Sequence, residues 1–195
     1  TTYNVKLITS NNCEIDTTIT ITVNKLPIIT INGEKDGNST ICLGSSIELT
    51  GEAESDCNFT WNNRQTNATI EVMPLTNAQY YVVGTDKTTG CRDTAKHTLN
   101  IVPLPIINIS GNSVVCRDSV VNLKITNAIA GFEYDWGNGN MGVNYSPVIT
   151  KDSVIRVTAT DNTEQHCKAT ETYKVSIKEN PIITLNSENP FVCKG

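Results

Sequence analysis

Charge is scarce in this 195-residue chain. Asp, Glu, Lys and Arg make up 18% of it, where a soluble domain carries about a quarter. Lys and Arg number 15 against 20 Asp and Glu, giving a net charge of −5 and a pI near 5.0. No basic stripe exists, which removes the electrostatic footprint of a nucleic-acid binder. No apolar run approaches the ~20 residues that span a bilayer, so this segment is expected not to insert into a membrane. No secretory leader opens the sequence. No stretch repeats its apolar residues at the helical period. C-x-x-C pairs are missing, and the two histidines, His97 and His166, stand apart. Structural zinc therefore has no ligand set. No Ser-His-Asp set and no close carboxylate pair can be assembled, so the expectation is no enzyme, no catalytic residue, no cofactor and no metal.

What is present is a ruler. Cys13, Cys91 and Cys167 are each followed fourteen residues later by Pro-Ile-Ile, at Pro27, Pro105 and Pro181. The prolines are 78 and 76 residues apart. A fixed offset at a fixed period means tandem copies of one small unit. Residues 27–104 and 105–180 read as two complete units. Residues 1–26 match the closing strands of a preceding unit, and 181–195 the first strand of a following one, as in a piece of a longer protein. A unit of this size buries a modest core and is expected to need covalent help.

Inside the first unit, alternating apolar residues predict strands over 27–32, 46–50, 59–61, 69–72, 79–84 and 94–102, with turns at 33–39 and 86–90. The second unit repeats the plan, with Trp136 for Trp61 and Ile155-Arg156-Val157 for Tyr81-Val82-Val83. Six or seven short strands with turns between them imply an all-β, immunoglobulin-like antiparallel sandwich, arranged head to tail. The inter-sheet disulfide of antibody domains is missing, because Ile47 or Leu49 and Val83 occupy its positions. Trp61 and Trp136, with Phe59, Phe132 and Tyr134, are expected in the core rather than on a sugar-stacking platform. Tyr80 and Tyr145 are the candidates for exposed aromatics. Asp135-Trp136-Gly137-Asn138-Gly139-Asn140 looks like a calcium loop but lacks the EF-hand spacing and its bidentate Glu. His97 is expected packed at an edge.

Seven cysteines recurring at two equivalent places fit an oxidising compartment. In a seven-strand sandwich the second-to-third and sixth-to-seventh loops share one end. That placement predicts a Cys57–Cys91 bridge. Cys42 lies at the other end, a strand length of roughly 20 Å away, beyond the reach of a disulfide. In a head-to-tail array Cys42 would meet the following unit's Cys167, so a Cys42–Cys167 bond across the junction is one expectation. A Cys116–Cys167 bond within the second unit is the alternative. The invariant fourteen-residue step leaves about three residues of linker, with Pro103 and Pro105 stiffening one junction. It is expected to act as the joint that sets the angle between units.

The ordered set Ile41-Cys42-x-Gly44…Ile47-x-Leu49, Trp61, Tyr81-x-Val83, Gly90-Cys91-x-Asp93-Thr94 and Val102-x-Leu104-Pro105 resembles the tandem Ig-like and PKD-like repeats of giant secreted Bacteroidota surface proteins, gliding-motility adhesins among them. The second unit departs from it with Asp118 for Gly44 and Gln165-His166-Cys167 for Gly90-Cys91, and has no counterpart of Cys57. The resemblance implies type IX export, an extracellular cell-surface or filament location, and service as stalk or adhesin. It implies as partners neighbouring repeats and surface polysaccharide or other cell-surface proteins. The alternative is a carbohydrate-binding or spacer module of a secreted hydrolase. Asp followed by Thr or Ser also resembles the O-glycosylation signal of that phylum, which would place sugars on Thr17, Thr94, Ser119 and Ser153 of a glycoprotein.

Overall fold

A computed structural model describes residues 1–179 and 181–184. The chain divides into two compact units, Thr1–Ile101 and Val102–Gly195. All regular structure among the described residues is β-strand. The expected strand of a following repeat falls on 181–195. Residues 181–184 form no strand, and the rest lies outside the described residues.

The first unit opens with a hairpin, β1 (Thr2–Ile8) and β2 (Glu14–Thr20), paired from Thr2↔Thr20 to Ile8↔Glu14. Seven further strands follow: β3 (Ile29–Ile31), β4 (Asp36–Cys42), β5 (Ile47–Ala53), β6 (Cys57–Trp61), β7 (Thr69–Val72), β8 (Ala78–Asp86) and β9 (Arg92–Val102). They form two sheets, β3-β5-β7 and β4-β9-β8-β6. Between the sheets lie Ile29, Ile31, Leu49, Trp61, Ile70, Val72, Val82, Ala95 and Leu99. Within each strand these residues alternate with outward polar ones, as a sheet with one wet face requires. Gly84 lies on the same inner face of β8, and a Cβ there would sit 2.2 Å from the Cδ1 of Ile29. The missing side chain is what lets the two sheets close at this point. This is the immunoglobulin-like sandwich expected.

The second unit repeats it with β10 (Ile109–Ser110), β11 (Val114–Cys116), β12 (Ser119–Val120), β13 (Leu123–Ile125), β14 (Glu133–Asp135), β15 (Asn144–Tyr145), β16 (Val148–Ile149), β17 (Ser153–Thr160) and β18 (Lys168–Lys178). Here β10-β13-β15 faces β11-β18-β17-β14, and β12 pairs with β16. The single β5–β7 ladder of the first unit is split in two at Pro147, which has no N–H to donate. Its carbonyl still accepts from Val121 N at 3.0 Å, so the two pieces stay in line.

Each tryptophan is core, as expected, at 2% and 6% exposure. Each is latched the same way. Trp61 Nε1 donates to Asn67 O at 2.9 Å, and Trp136 Nε1 to Gly142 O at 2.8 Å. Both acceptors lie six residues on, so a buried indole N–H finds a partner within its own loop.

Three expectations need correction. Residues 36–39 of the expected turn belong instead to strand β4. The Asp-Gly-Asn-Ser text has turn chemistry, but β9 offers an edge, and Gly37 leaves room for the His97 ring beside it, where a Cβ would lie 2.5 Å from Nδ1. The inward residue of β8 is Val82 rather than Val83. Val82, Val157 and Val5 pair with Ala95, Glu171 and Thr17, each four residues after its cysteine. The connecting loops differ by one residue, which shifts the match. Tyr80 and Tyr145 are half-buried against the cores. Tyr145 stacks on Trp136 with ring centroids 5.4 Å apart, and the exposed aromatic of β8 is Tyr81.

Candidate functional site

The feature shared by all three copies is the hairpin loop that carries the repeat cysteine. In each, the residue at the loop's entry donates its backbone N–H to the cysteine carbonyl: Thr9 to Cys13 at 3.0 Å, Asp86 to Cys91 at 2.9 Å and Asp161 to Cys167 at 3.0 Å. A side-chain oxygen of the same loop takes the cysteine's own N–H. It is Thr9 Oγ1 at 3.1 Å, Thr89 Oγ1 at 3.3 Å and Asp161 Oδ1 at 3.0 Å. The residue before the cysteine is left-handed every time, with φ 59° at Asn12, 73° at Gly90 and 48° at His166. Asn and His tolerate that region better than most side chains, which explains how Gln165-His166 can stand where the first unit has glycine. The same logic covers Asp118, whose φ of 63° matches the 82° of Gly44.

The entry aspartates stiffen the loop. Asp86 Oδ1 accepts from Thr88 N, Thr89 N and Thr89 Oγ1 at 3.0, 2.8 and 3.0 Å. Hydrogen bonds from Ser55 first, then from Thr89, hold its carboxyl at about 2, well below the usual carboxylate range. Asp161 is buried, which raises its pKa. Bonds from the Thr163 hydroxyl, Thr163 N and Cys167 N outweigh that and leave it lowered. Asp86 lies in the expected turn over 86–90, and no expectation attaches to Asp161. The signal for them was their position at the loop's entry in both complete units.

Cysteine chemistry differs from site to site. Cys42 and Cys167 are each disulfide-bonded, and Cys167 is 1% exposed. Cys13, Cys57, Cys91 and Cys116 are free thiols, and Cys193 lies outside the described residues. The Cys57–Cys91 bridge is therefore not formed. Cys57 opens strand β6 rather than lying in a loop, and it pairs with Asp86 of β8. Cys91 faces the same residue from the other side, since Asp86 N bonds its carbonyl. Strand β8 stands between them, so their Cα atoms are two strand spacings, about 9.5 Å, apart. A disulfide spans at most about 7 Å. The Cys116–Cys167 alternative fails too. Cys116 pairs with Lys178 at the far end of β18, whereas Cys167 precedes its first residue, a separation of roughly 35 Å.

Among the other expected residues, Thr17 is exposed on β2, whereas Thr94 on β9, Ser119 on β12 and Ser153 on β17 are half-buried. Ser153 Oγ donates to Lys151 O at 2.8 Å. Asp93 is engaged by Lys35, whose hydrogen bond is the main cause of its lowered pKa. Asp152 Oδ1 accepts from Ile177 N at 2.8 Å. The calcium-like loop folds as a turn in which Asp135 Oδ1 accepts from Gly137 N at 2.7 Å.

His97 is buried at 3% exposure, with Nε2 2.9 Å from Ser39 Oγ and Nδ1 without a hydrogen-bond partner. Burial lowers its pKa, and the nearby Glu34 charge opposes that in part.

No family model and no curated protein sequence matches the chain. Solved structures that resemble it include extracellular domains 3–5 of Drosophila OTK, with 10% identity, TM-score 0.38, and coverage of 91% of this chain and 70% of that one. An I-band fragment of titin has 12% identity, TM-score 0.35, and coverage of 80% and 67%. The extracellular cadherin domains 1–5 of protocadherin gamma B2 have 8% identity, TM-score 0.33, and coverage of 92% and 51%.

Proposed function

We propose that the chain is a non-enzymatic segment of the stalk or filament of a large extracellular cell-surface adhesin, of the gliding-motility type its repeats resemble. It transmits load and spaces a distal binding region. The observation that carries this reading is the threefold recurrence of one hairpin and cysteine loop, with the same backbone bonds each time. The β1–β2 hairpin is read as the closing strands of a further repeat. Tyr3, Val5, Leu7, Ile19 and Ile21 occupy the positions of Tyr80, Val82, Gly84, His97 and Leu99, which face the core in the first sandwich. Cysteines engaged in disulfides fit an oxidising, extracellular setting. The partners proposed are neighbouring repeats and surface polysaccharide or other cell-surface proteins. The carbohydrate-module alternative loses its natural platform, since Trp61 and Trp136 are spent in the cores.

Single-molecule pulling of the reduced chain from its two ends tests the reading. Two discrete unfolding events, one per sandwich, are expected. Smooth extension without events would overturn it.

A further inference from the structure

We propose that the apolar face of the β1–β2 hairpin is the docking face for the opening half of the further repeat it closes, and that Leu7 sets which opening half it accepts. The docking role rests on the closing-strand reading of the hairpin. Cross-strand pairing puts Tyr3 opposite Ile19 and Leu7 opposite Ile15. These residues, with Val5, share one face, and all are exposed. The other face pairs Asn4 with Thr18 and Lys6 with Asp16, and Lys6 also meets Glu14 at 2.6 Å. An antiparallel sheet with one apolar and one polar face is covered on the apolar side. In the first sandwich the equivalent face of β8 and β9 is covered by β3, β5 and β7, through Ile29, Ile31, Leu49, Ile70 and Val72.

Size decides the partner. Leu7 holds the place of Gly84, where a Cβ would already sit 2.2 Å from Ile29 Cδ1 and 2.8 Å from Ile29 Cγ1. In the second unit that place belongs to Ala159, buried in one core with Ile107, the counterpart of Ile29. Each complete unit thus sets a small residue on its closing half against isoleucine on its opening half. The hairpin inverts this. Its closing half carries the large residue, and a close-packed interior has no room for isoleucine opposite leucine there. The cover therefore has glycine or alanine at the place of Ile29. Leu7 against alanine is the Ala159 and Ile107 combination with its two sides exchanged. Polar contacts change as well. Ile19 stands for His97, whose Nε2 lies 2.9 Å from Ser39 Oγ, and Ile15 stands for Asp93, which pairs with Lys35. The cover is accordingly apolar at the place of Ser39 and needs no lysine at that of Lys35.

Neither opening half in this chain, with Ile29 or Ile107, meets that requirement. Tandem units of one plan risk exchanging halves as they fold, one unit's opening strands closing on another's hairpin. A steric mismatch at a single buried pair rejects the wrong half while leaving the right one unhindered. Leu7 against Gly84 and Ala159 is such a mismatch, and it keeps the halves of successive repeats from being interchangeable.

Thr1 holds the place of Ala78, so a copy of residues 27–77 joined directly ahead of Thr1 offers the hairpin an opening half in register. Two versions of the full chain are compared. Both carry Ser39→Ala in the copy, because Ile19 gives that hydroxyl no partner, and one adds Ile29→Ala in the copy. Amide hydrogen exchange over Thr2–Ile8 and Glu14–Thr20 reads docking. The copy with Ile29→Ala should slow exchange about 5- to 150-fold more than the copy that keeps Ile29, the range that overpacking of a core spans. Leu7→Gly in the hairpin should turn the preference toward the copy that keeps Ile29. Equal protection by the two copies, or a preference that Leu7→Gly does not turn, would overturn the role of Leu7 and leave the closing-strand reading standing. No protection by either copy, with Leu7 or with Leu7→Gly, would sink that reading and the docking face with it.

Discussion

The two hydrophobic cores make a quantitative claim about independence. Leu49 and Leu123 hold equivalent places, opposite Ile70 and Tyr145 respectively, at 0% and 1% exposure. They belong to separate clusters with no shared member. Truncating either to alanine removes the buried apolar atoms and leaves a cavity, which costs about 2–5 kcal/mol. A unit of this size has roughly 4–11 kcal/mol of stability in total, at about 0.05–0.15 kcal/mol per residue. The loss is therefore a large fraction of one unit and should be almost nothing to the other. The chain's two tryptophans, one per core, supply the assay. In a Trp136→Phe background, Trp61 fluorescence follows the first unit through urea unfolding; in a Trp61→Phe background, Trp136 follows the second. Leu49→Ala should lower the first midpoint by about 0.7–5 M, taking a urea slope of about 1–3 kcal/mol/M. It should leave the second unit within about 0.5 kcal/mol. Stability that is nearly a sum over units with a small neighbour term is what tandem repeats display. Equal shifts in both transitions would refute the reasoning, because they would mean one cooperative core rather than two.

Four further outcomes follow from individual residues. His97 has a pKa lowered by burial, so the unfolded chain takes up a proton first as pH falls below about 6.5. Its stability contribution is complete above that pH and is lost toward the lower folded-state pKa. Unfolding from pH 7.5 to 5 should weaken the first unit and not the second, where Tyr173 holds the equivalent place; a flat profile for the first unit contradicts this. Asp86, with its pKa near 2, should remain ionised at pH 3 in a carboxyl NMR titration, and its contribution is lost only as pH falls from about 3.8 through 2. A midpoint at 3.8 or above would show that its hydrogen bonds from Ser55 and Thr89 do not form. Asp161→Ala should speed amide exchange at Cys167 and Thr163, and unchanged protection would discount the loop brace. If the O-glycosylation signal is read, Thr17, the exposed one of its four sites, should carry sugar first. An intact mass equal to the bare polypeptide would reject modification.

Much of the fold was legible in the sequence. The period, the seven-strand plan and the buried tryptophans all come from local patterns of apolar residues and turn formers. Strand β4 was not legible, because Asp36-Gly37-Asn38-Ser39 is turn text. It becomes a strand only because β9 presents an unpaired edge and Gly37 clears space for His97. The inward choice between Val82 and Val83 was not legible either. Both are valines in an apolar run, and only pairing with Ala95 across the hairpin decides which points in. The candidate site divides in the same way. The cysteines were visible at once, but the aspartates and threonines that lock their loops look like ordinary turn residues until the backbone bonds are traced.

The sequence by itself determined that one unit recurs, that it is a β-sandwich, and that its cysteines hold fixed places in the period. Those properties reside in spacing, and spacing survives without coordinates. Which cysteines are bonded was decided only by tertiary structure. Cys57 and Cys91 sit close in the chain plan but have β8 between them, and Cys116 and Cys167 share a unit but lie at opposite ends of β18. A disulfide requires two sulfurs within a few ångströms, and sheet order and register, which no local pattern encodes, set those distances.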